Sequence, residues 1–253
     1  MPVRIQRDGA VMVATIDRPE RRNAVDGATA RELSRAFRTF DADSELSVAV
    51  LTGAGGNFCA GFDLKALAGG SGPEVAKGDG PMGPTYLRLS KPVIAAIEGY
   101  SVAGGMELAL WCDLRVAAAD AVLGIFNRRF GVPLVDGGTV RLARIAGQGL
   151  AMDLILTGRP IDAQEAERHG LVNRVVEPGR ALPESIALAQ RIASFPQIGV
   201  RNDRISLLEQ WGLPLAQAVE NELRWGQRTM DSGEAITGAR RFSRGEGRRG
   251  AGL

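Results

Sequence analysis

Cysteine and histidine are nearly absent from this 253-residue chain, which has only Cys59, Cys112 and a single His169. Two thiols set in apolar sequence, with no C-x-x-C pair, argue against a disulfide scaffold, provide no metal site and point to a reducing compartment. No apolar run of about 18 residues and no cleavable signal pattern occurs, so the cytoplasm is the expected location and no membrane partner is expected. An excess of one charge sign is also missing. With 31 basic against 29 acidic residues, a net charge of +2 gives no general case for nucleic acid. No fixed-period repeat is present. What remains is 45% hydrophobic and 24% charged residues, over a length able to bury the core of one α/β domain with a helical appendage.

The chain is organised around residues 92–115, PVIAAIEGYSVAGGMELALWCDLR, which read as a buried strand, a glycine turn and a helix. Residues 93–97 are an apolar run of strand length, and Gly99 punctuates them. Ala103-Gly104-Gly105 leaves the backbone bare where a helix is expected to begin, at about Met106. A helix N-terminus offers unpaired N–H groups and a partial positive charge, so a bare turn there can cradle a developing anion. Glu107 lies one turn inside that end.

Upstream, residues 10–17 alternate as a strand that ends at Arg18-Pro19-Glu20. Residues 27–40 repeat apolar positions at helical spacing behind Asp26, the expected N-cap. A second strand at 48–52 completes a strand–helix–strand order that predicts a right-handed parallel unit. Residues 68–84, AGGSGPEVAKGDGPMGP, are rich in glycine and proline with little apolar content; they predict a mobile surface segment, with a lid as its functional reading. Strands are expected at 114–118 and 122–125, then a loop over 127–138. Helices are expected around 140–145, 148–156, 162–169, 183–193, 198–210, 213–230 and 234–242, with a small strand at 172–176. Gly99-Tyr100-Ser101-Val102-Ala103 superficially mimics the G-x-S-x-G nucleophile elbow. Its last position is alanine and His169 sits in a helix-end pattern, so no serine triad is expected. The basic tail Arg240, Arg241, Arg244, Arg248 and Arg249 lacks interleaved aromatics beyond Phe242 and reads as a solvated tail or a contact with the anionic ligand of a neighbouring subunit.

Several motifs in register resemble the enoyl-CoA hydratase/isomerase (crotonase) family: Phe58-Cys59-Ala60-Gly61-Phe62-Asp63-Leu64, Lys91-Pro92-Val93-Ile94-Ala95-Ala96-Ile97-Glu98-Gly99-Tyr100, Ala103-Gly104-Gly105-Met106-Glu107-Leu108-Ala109-Leu110, Gly137-Gly138-Thr139-Val140-Arg141-Leu142 and Leu156-Thr157-Gly158. The likeness runs in matching order from about residue 10 to 176. It implies an α/β core of spirally wound ββα repeats, set at residues 1–195, and a C-terminal helical region, 196–253, used for assembly into a homotrimer or a dimer of trimers. The implied substrate is an acyl-CoA thioester, with coenzyme A as part of the substrate and no separate cofactor. The family polarises the thioester carbonyl with two backbone N–H groups, here those of Phe62 and Gly104. That assignment agrees with the bare helix start at Gly104 and with the close backbone approach that Ala60-Gly61 permits. The resemblance also lays Ala60, Gly61, Phe62 and Asp63 along the adenine of coenzyme A, with Gly105 and Arg128 among the substrate contacts and Arg21 or Arg22 meeting phosphate.

Hydration in this family uses two glutamates. Glu107 matches the first, whereas the second position is Asn127, which cannot shuttle a proton. Asp136, in the same loop, is the expected substitute, making Glu107 and Asp136 the acid–base pair; alternatively it caps the helix beginning near Gly138 or Thr139. Arg128 and Arg129 stand ready to orient a polar acyl group or to neutralise Asp136. The expected activity is addition of water to a 2-enoyl-CoA. The alternatives are double-bond isomerisation by a single base, decarboxylation or thioester hydrolysis on the same scaffold, and non-catalytic acyl-CoA binding.

Overall fold

Alternation of apolar side chains along the strands sets the layers of the molecule. In the computed structural model, which describes residues 1–75 and 78–246, the chain opens with an antiparallel hairpin of β1 (Val3–Asp8) and β2 (Val11–Ile16), turned at Gly9 with φ +56°. Asp26 caps α1 (Gly27–Ala42), as its sequence pattern predicts, by accepting a 2.8 Å hydrogen bond from the Thr29 N–H. β3 (Val48–Gly53) pairs parallel with β2, and a short α2 (Leu64–Ala68) follows. Next come β4 (Val93–Ile97), β5 (Tyr100–Val102), α3 (Gly104–Trp111), β6 (Leu114–Ala118), β7 (Val122–Gly124) and a 3-10 turn, Phe126–Phe130.

Each pass of the chain lays one strand in a large sheet and the next segment in a smaller layer before a helix closes the turn. Among the described residues the large sheet has the order β1-β2-β3-β4-β6-β9 and is parallel beyond the hairpin. The smaller sheet holds β5, β7 and β8, and isolated bridges between Val25 and Phe62 and between Cys59 and Ser101 extend its layer toward the earlier turns. This is a spiral of ββα repeats. Beyond it lie α4 (Gly138–Ala146), α5 (Gln148–Thr157), β8 (Pro160–Asp162), α6 (Ala163–Arg168) and β9 (Arg174–Val176). The C-terminal helices are α7 (Ala181–Ala193), α8 (Gln197–Glu209), α9 (Leu215–Asp231) and α10 (Glu234–Ser243).

Val11, Val13, Val48, Val50, Ile94 and Ala96 face α7, where Leu188 and Ala189 cover them. The alternate positions, Met12, Ala14, Ile16, Ala49, Leu51, Ala95 and Ile97, join Leu33 and Phe37 of α1 and Met106 and Leu108 of α3 in the main core. Burying each such large side chain stabilises by about 1.5–3 kcal/mol. The expected boundary between 1–195 and 196–253 falls at Pro196, the residue before α8. Across it, Arg204 of α8 donates through Nε to Asp113 Oδ1 at 2.7 Å and through Nη1 to the Leu89 carbonyl at 2.7 Å. The same Asp113 accepts the Val93 N–H at 2.8 Å, so α8 is pinned to the start of β4.

Elements too short to carry a period escape sequence reading: β8, α2, and β5 as a strand of its own. A larger correction concerns the end of residues 68–84. Their glycines and prolines predict a mobile surface segment, and residues 68–71, 74, 75 and 78 are exposed, yet residues 81–84, with 85 beyond them, are buried and Met82 is wholly enclosed. Met82 packs so closely on Gly104 that a Cβ there would lie 2.8 Å from its sulfur. Residues 76 and 77 of this segment, and Arg248 and Arg249 of the basic tail, lie outside the described residues. Among the described residues no helix is long and apolar enough to cross a membrane.

Candidate active site

The helix that the sequence marks as anion-seeking starts at Gly104, two residues before its periodicity suggests. Its N-cap, Ala103, has φ 53° and ψ −127°, a conformation that costs a residue with a Cβ about 1–3 kcal/mol and persists only under constraint. The constraint is two hydrogen bonds. The Ala103 N–H donates to the Gly124 carbonyl of β7 at 2.9 Å, and the Ala103 carbonyl accepts the Glu107 N–H at 3.2 Å. The Gly104 N–H is left without an acceptor among the described residues, as the first donor of a helix must be unless something outside supplies one.

The loop at residues 58–63 is pressed against this turn. The Val25 N–H donates to the Gly61 carbonyl at 2.8 Å and the Asp63 N–H to the Val25 carbonyl at 2.9 Å, which leaves the Phe62 N–H between them without an acceptor among the described residues. Gly61, at φ +93°, allows the contact: a Cβ there would lie 2.8 Å from the Gly104 nitrogen. Gly105 meets a similar limit, since its Cβ would come within 2.0 Å of the Cys59 carbonyl oxygen.

Phe62, Gly104 and Ala60 line a cavity of about 250 Å³ walled by apolar side chains, including Leu64, Val102, Phe126 and Val132. Two polar side chains also line it, Glu107 and Asn127, and among the described residues Glu107 is its one titratable group. Glu107 is 1% exposed, and its Oε1 accepts the N–H groups of Asp136 at 2.8 Å and Gly138 at 2.9 Å. Its Oε2 has no partner among the described residues. Burial, together with the nearby Asp136 carboxylate, pushes Glu107 up to about 7, against the opposing pull of those two N–H groups and of Arg141. Such a carboxyl can both take and give a proton near neutrality.

Asn127, on the 3-10 turn, donates through Nδ2 to the Pro133 carbonyl at 3.2 Å, and its Oδ1 is buried without a partner. The bond to Pro133 needs the amide N–H, so the free atom is an acceptor. A buried unpaired acceptor costs roughly 1–3 kcal/mol unless something donates to it.

Asp136 stands behind Glu107 and does not line the cavity. Its Oδ1 accepts the Met82 N–H at 2.8 Å and the Thr85 hydroxyl, while its Oδ2 is buried and unpaired. Nor does it cap α4, whose N-cap is Gly137 with no side-chain bond. The cation beside it is Arg141, which donates to the Asp136 carbonyl and to the Thr85 carbonyl, each at 2.6 Å. Arg128, expected to neutralise Asp136 or orient the acyl group, is instead exposed and donates to the Val132 carbonyl at 3.2 Å. Arg129 stacks 3.6 Å from the Phe126 ring centroid. Arg141, Thr85 and Met82 were not legible as site residues. Arg141 alone carries a signal, as an arginine set between Val140 and Leu142 five residues after an aspartate.

Asp63, expected along coenzyme A, has its carboxylate committed: Oδ1 caps α2 through the Lys65 and Ala66 N–H groups, and Oδ2 meets Arg18 Nη2 at 3.0 Å. It fixes the loop that presents Phe62. Arg22 is exposed with its guanidinium 5.0 Å from the Tyr100 ring centroid, and its carbonyl accepts the Ala60 N–H at 3.0 Å. Arg21 is exposed, and its side chain has no partner among the described residues. Ser101 is fully buried in β5 and bonded to the Gly105 carbonyl, while His169 is exposed at the end of α6, so the two form no triad. Among the described residues no three His, Cys, Asp or Glu side chains cluster as metal ligands, and both cysteines are buried free thiols.

Compared with known proteins, residues 6–246 match the family described as enoyl-CoA hydratase/isomerase. The chain is 37% identical over 246 residues to the enoyl-CoA hydratase EchA19 of Mycobacterium tuberculosis, covering 94% of this chain and 92% of that protein. It is 40% identical over 201 residues to the carnitinyl-CoA dehydratase of Salmonella arizonae, covering 78% and 77% respectively. The crystal structure of enoyl-CoA hydratase EchA1 from Mycobacterium marinum has a TM-score of 0.92 and 40% identity to it, over 96% of each chain.

Proposed function

The chain belongs to the enoyl-CoA hydratase/isomerase family, and on that premise we propose that it is a hydratase-like enzyme adding water across the 2,3 double bond of a 2-enoyl-CoA thioester. One observation carries the reading. A half-satisfied buried carboxylate, Glu107, shares a cavity with two backbone N–H groups, of Phe62 and Gly104, that no protein acceptor engages.

In this reading the thioester oxygen takes those two N–H groups. Ionised Glu107 removes a proton from water as the water oxygen bonds to C3, and the π electrons move onto the thioester oxygen as an enolate. Glu107 then returns the proton to C2, leaving a hydroxyl on C3, a hydrogen on C2 and the carboxylate restored. The N–H groups and the α3 N-terminus stabilise the enolate, and each donor is worth about 2.7–4 kcal/mol in the transition state. Asn127 Oδ1 is the acceptor that holds the attacking water, and its amide is kept in place by Pro133.

The presence of one titratable side chain in the cavity also favours a second reading, isomerisation, in which Glu107 carries a proton from C4 to C2. Coenzyme A enters as part of the substrate, with exposed Arg21 and Arg22 available to its phosphates. The exposed apolar positions Leu215, Val219 and Leu223, spaced four apart along α9, support assembly as a homotrimer or a pair of trimers, and the cytoplasm is the proposed location.

The test is a panel of 2-enoyl-CoA and 3-enoyl-CoA thioesters followed by conjugated thioester absorbance. Wild type should consume the 2-enoyl signal of at least one member, and Glu107→Gln should lose about 10²–10⁴-fold in rate. Appearance of the signal from 3-enoyl substrates, with no loss from 2-enoyl ones, would replace hydration by isomerisation. Tight binding without any turnover would reduce the protein to an acyl-CoA binder.

A further inference from the structure

We propose that Asp136 is a positioning residue that acts through Glu107, coupling the buried 81–85 segment to the reacting carboxylate, and that it exchanges no proton with substrate. The inference rests on the reading of Glu107 as the acid–base group.

Its ground is connectivity. One residue contributes to three fastenings at once: its N–H holds Glu107 Oε1, its carboxylate takes the Met82 N–H and the Thr85 hydroxyl, and its carbonyl takes Arg141. Arg141 closes the ring by donating to the Thr85 carbonyl. Met82, on the same segment, packs against Gly104, so the segment touches both the anion-binding turn and the support of the base. Gly138, which gives Glu107 its second N–H, has no room for a side chain, since a Cβ there would lie 2.8 Å from the Glu107 carboxylate. The Asp136 carboxylate has Oδ1 occupied by Met82 and Thr85 and Oδ2 unpaired but buried, and because the residue does not line the cavity, neither oxygen faces substrate.

Its charge is nonetheless felt. The charged and titratable groups facing Glu107 are Asp136 from the turn before α4, Arg141 from α4, and Tyr86 from the segment after Thr85. Asp136 raises the proton affinity of Glu107 and Arg141 lowers it. Burial raises Asp136 as well, opposed by its bonds to Thr85 and Met82 and by Arg141.

Asp136→Asn keeps an oxygen for Met82 and Thr85 and removes the charge. The Glu107 side-chain carbon is followed by carbon NMR titration of glutamate-labelled protein, its resonance assigned by loss in Glu107→Gln. In wild type it should titrate at about 7. In Asp136→Asn the midpoint should fall by about one pH unit or more, and the acidic limb of kcat/KM should fall with it. Arg141→Gln should move both upward. Thr85→Val removes a hydroxyl that helps hold Asp136 ionised and loosens the segment, so it should lower kcat several-fold while moving the Glu107 midpoint no further than Asp136→Asn does. An unmoved midpoint in Asp136→Asn overturns the proposal, and so does kcat unchanged in Thr85→Val. Loss of turnover in Asp136→Asn as complete as in Glu107→Gln, with Glu107 titrating as in wild type, would make Asp136 a proton carrier instead. If wild type turns over no enoyl-CoA while the Glu107 midpoint still shifts, the coupling stands and the hydratase reading fails.

Discussion

Arg115 and Glu107 are both nearly excluded from solvent, at 3% and 1% exposure, and they are held in opposite ways. Arg115, on β6, donates to the Leu171 carbonyl at 2.6 Å, to the Cys112 carbonyl at 2.7 Å and to the Ala109 carbonyl at 3.3 Å. It thereby closes the carbonyl end of α3 and ties β6 to the approach of β9, and every nitrogen has an acceptor. Glu107, one turn into the same helix, has one oxygen saturated by two N–H groups while the residue lines the cavity with the other unpaired. A buried charge with all its partners is a fastener. A buried charge with half of them, beside a cavity, is held at a cost, and in the proposed reaction proton transfer is what that cost sustains.

The comparison breaks most severely at Arg115. Arg115→Met strands three carbonyls in a dry interior, at roughly 1–3 kcal/mol each, so stability should drop by about 4 kcal/mol in a urea melt. Turnover per folded molecule should stay within a few-fold of wild type. Glu107 should behave in reverse. Its folded value of about 7 lies above the ordinary 4.5, so the stability that its protonated form contributes is complete below about pH 4.5 and is lost as pH rises through 7. Glu107→Gln, which retains an oxygen for the Asp136 and Gly138 N–H groups, should therefore gain about 3 kcal/mol over wild type at pH 8 and almost nothing at pH 4. Equal stability at both pH values would mean that Glu107 is as fully satisfied as Arg115. The smallest effect is expected at a charge with no burial at all. Arg22→Ala should raise KM for a coenzyme A thioester about three-fold at low salt, a difference that added salt should erase.

Much of the site was legible because it is local. The bare turn at Ala103-Gly104-Gly105, the carboxylate one turn later and the Ala60-Gly61 approach are adjacent in the chain, and their chemistry follows from helix-end geometry. Asn127 was legible as a missing acid, although its tether to Pro133 and its free oxygen were not. Asp136 illustrates where such reading runs out: residue type and loop position suggest a proton carrier or a helix cap, whereas α4 has no side-chain cap and the carboxylate lies outside the cavity lining, bonded to Met82 and Thr85. Residues 81–85 illustrate it again, because glycine and proline mark turns without saying whether a turn is covered.

By itself the sequence determined the alternation of faces in β2, β3 and β4, the Asp26 cap, the anion-seeking start of α3 and membership in a family built on that turn. Only the tertiary structure decided which carboxylate faces the cavity, which cation accompanies it and what lies beneath Gly104. Those answers depend on Met82 and Thr85 meeting Asp136 across more than 50 residues of chain. The physical reason is that a side chain's proton affinity and free hydrogen-bonding capacity are set by its neighbours in space and by the exclusion of water, and neither quantity is written in any single stretch of sequence.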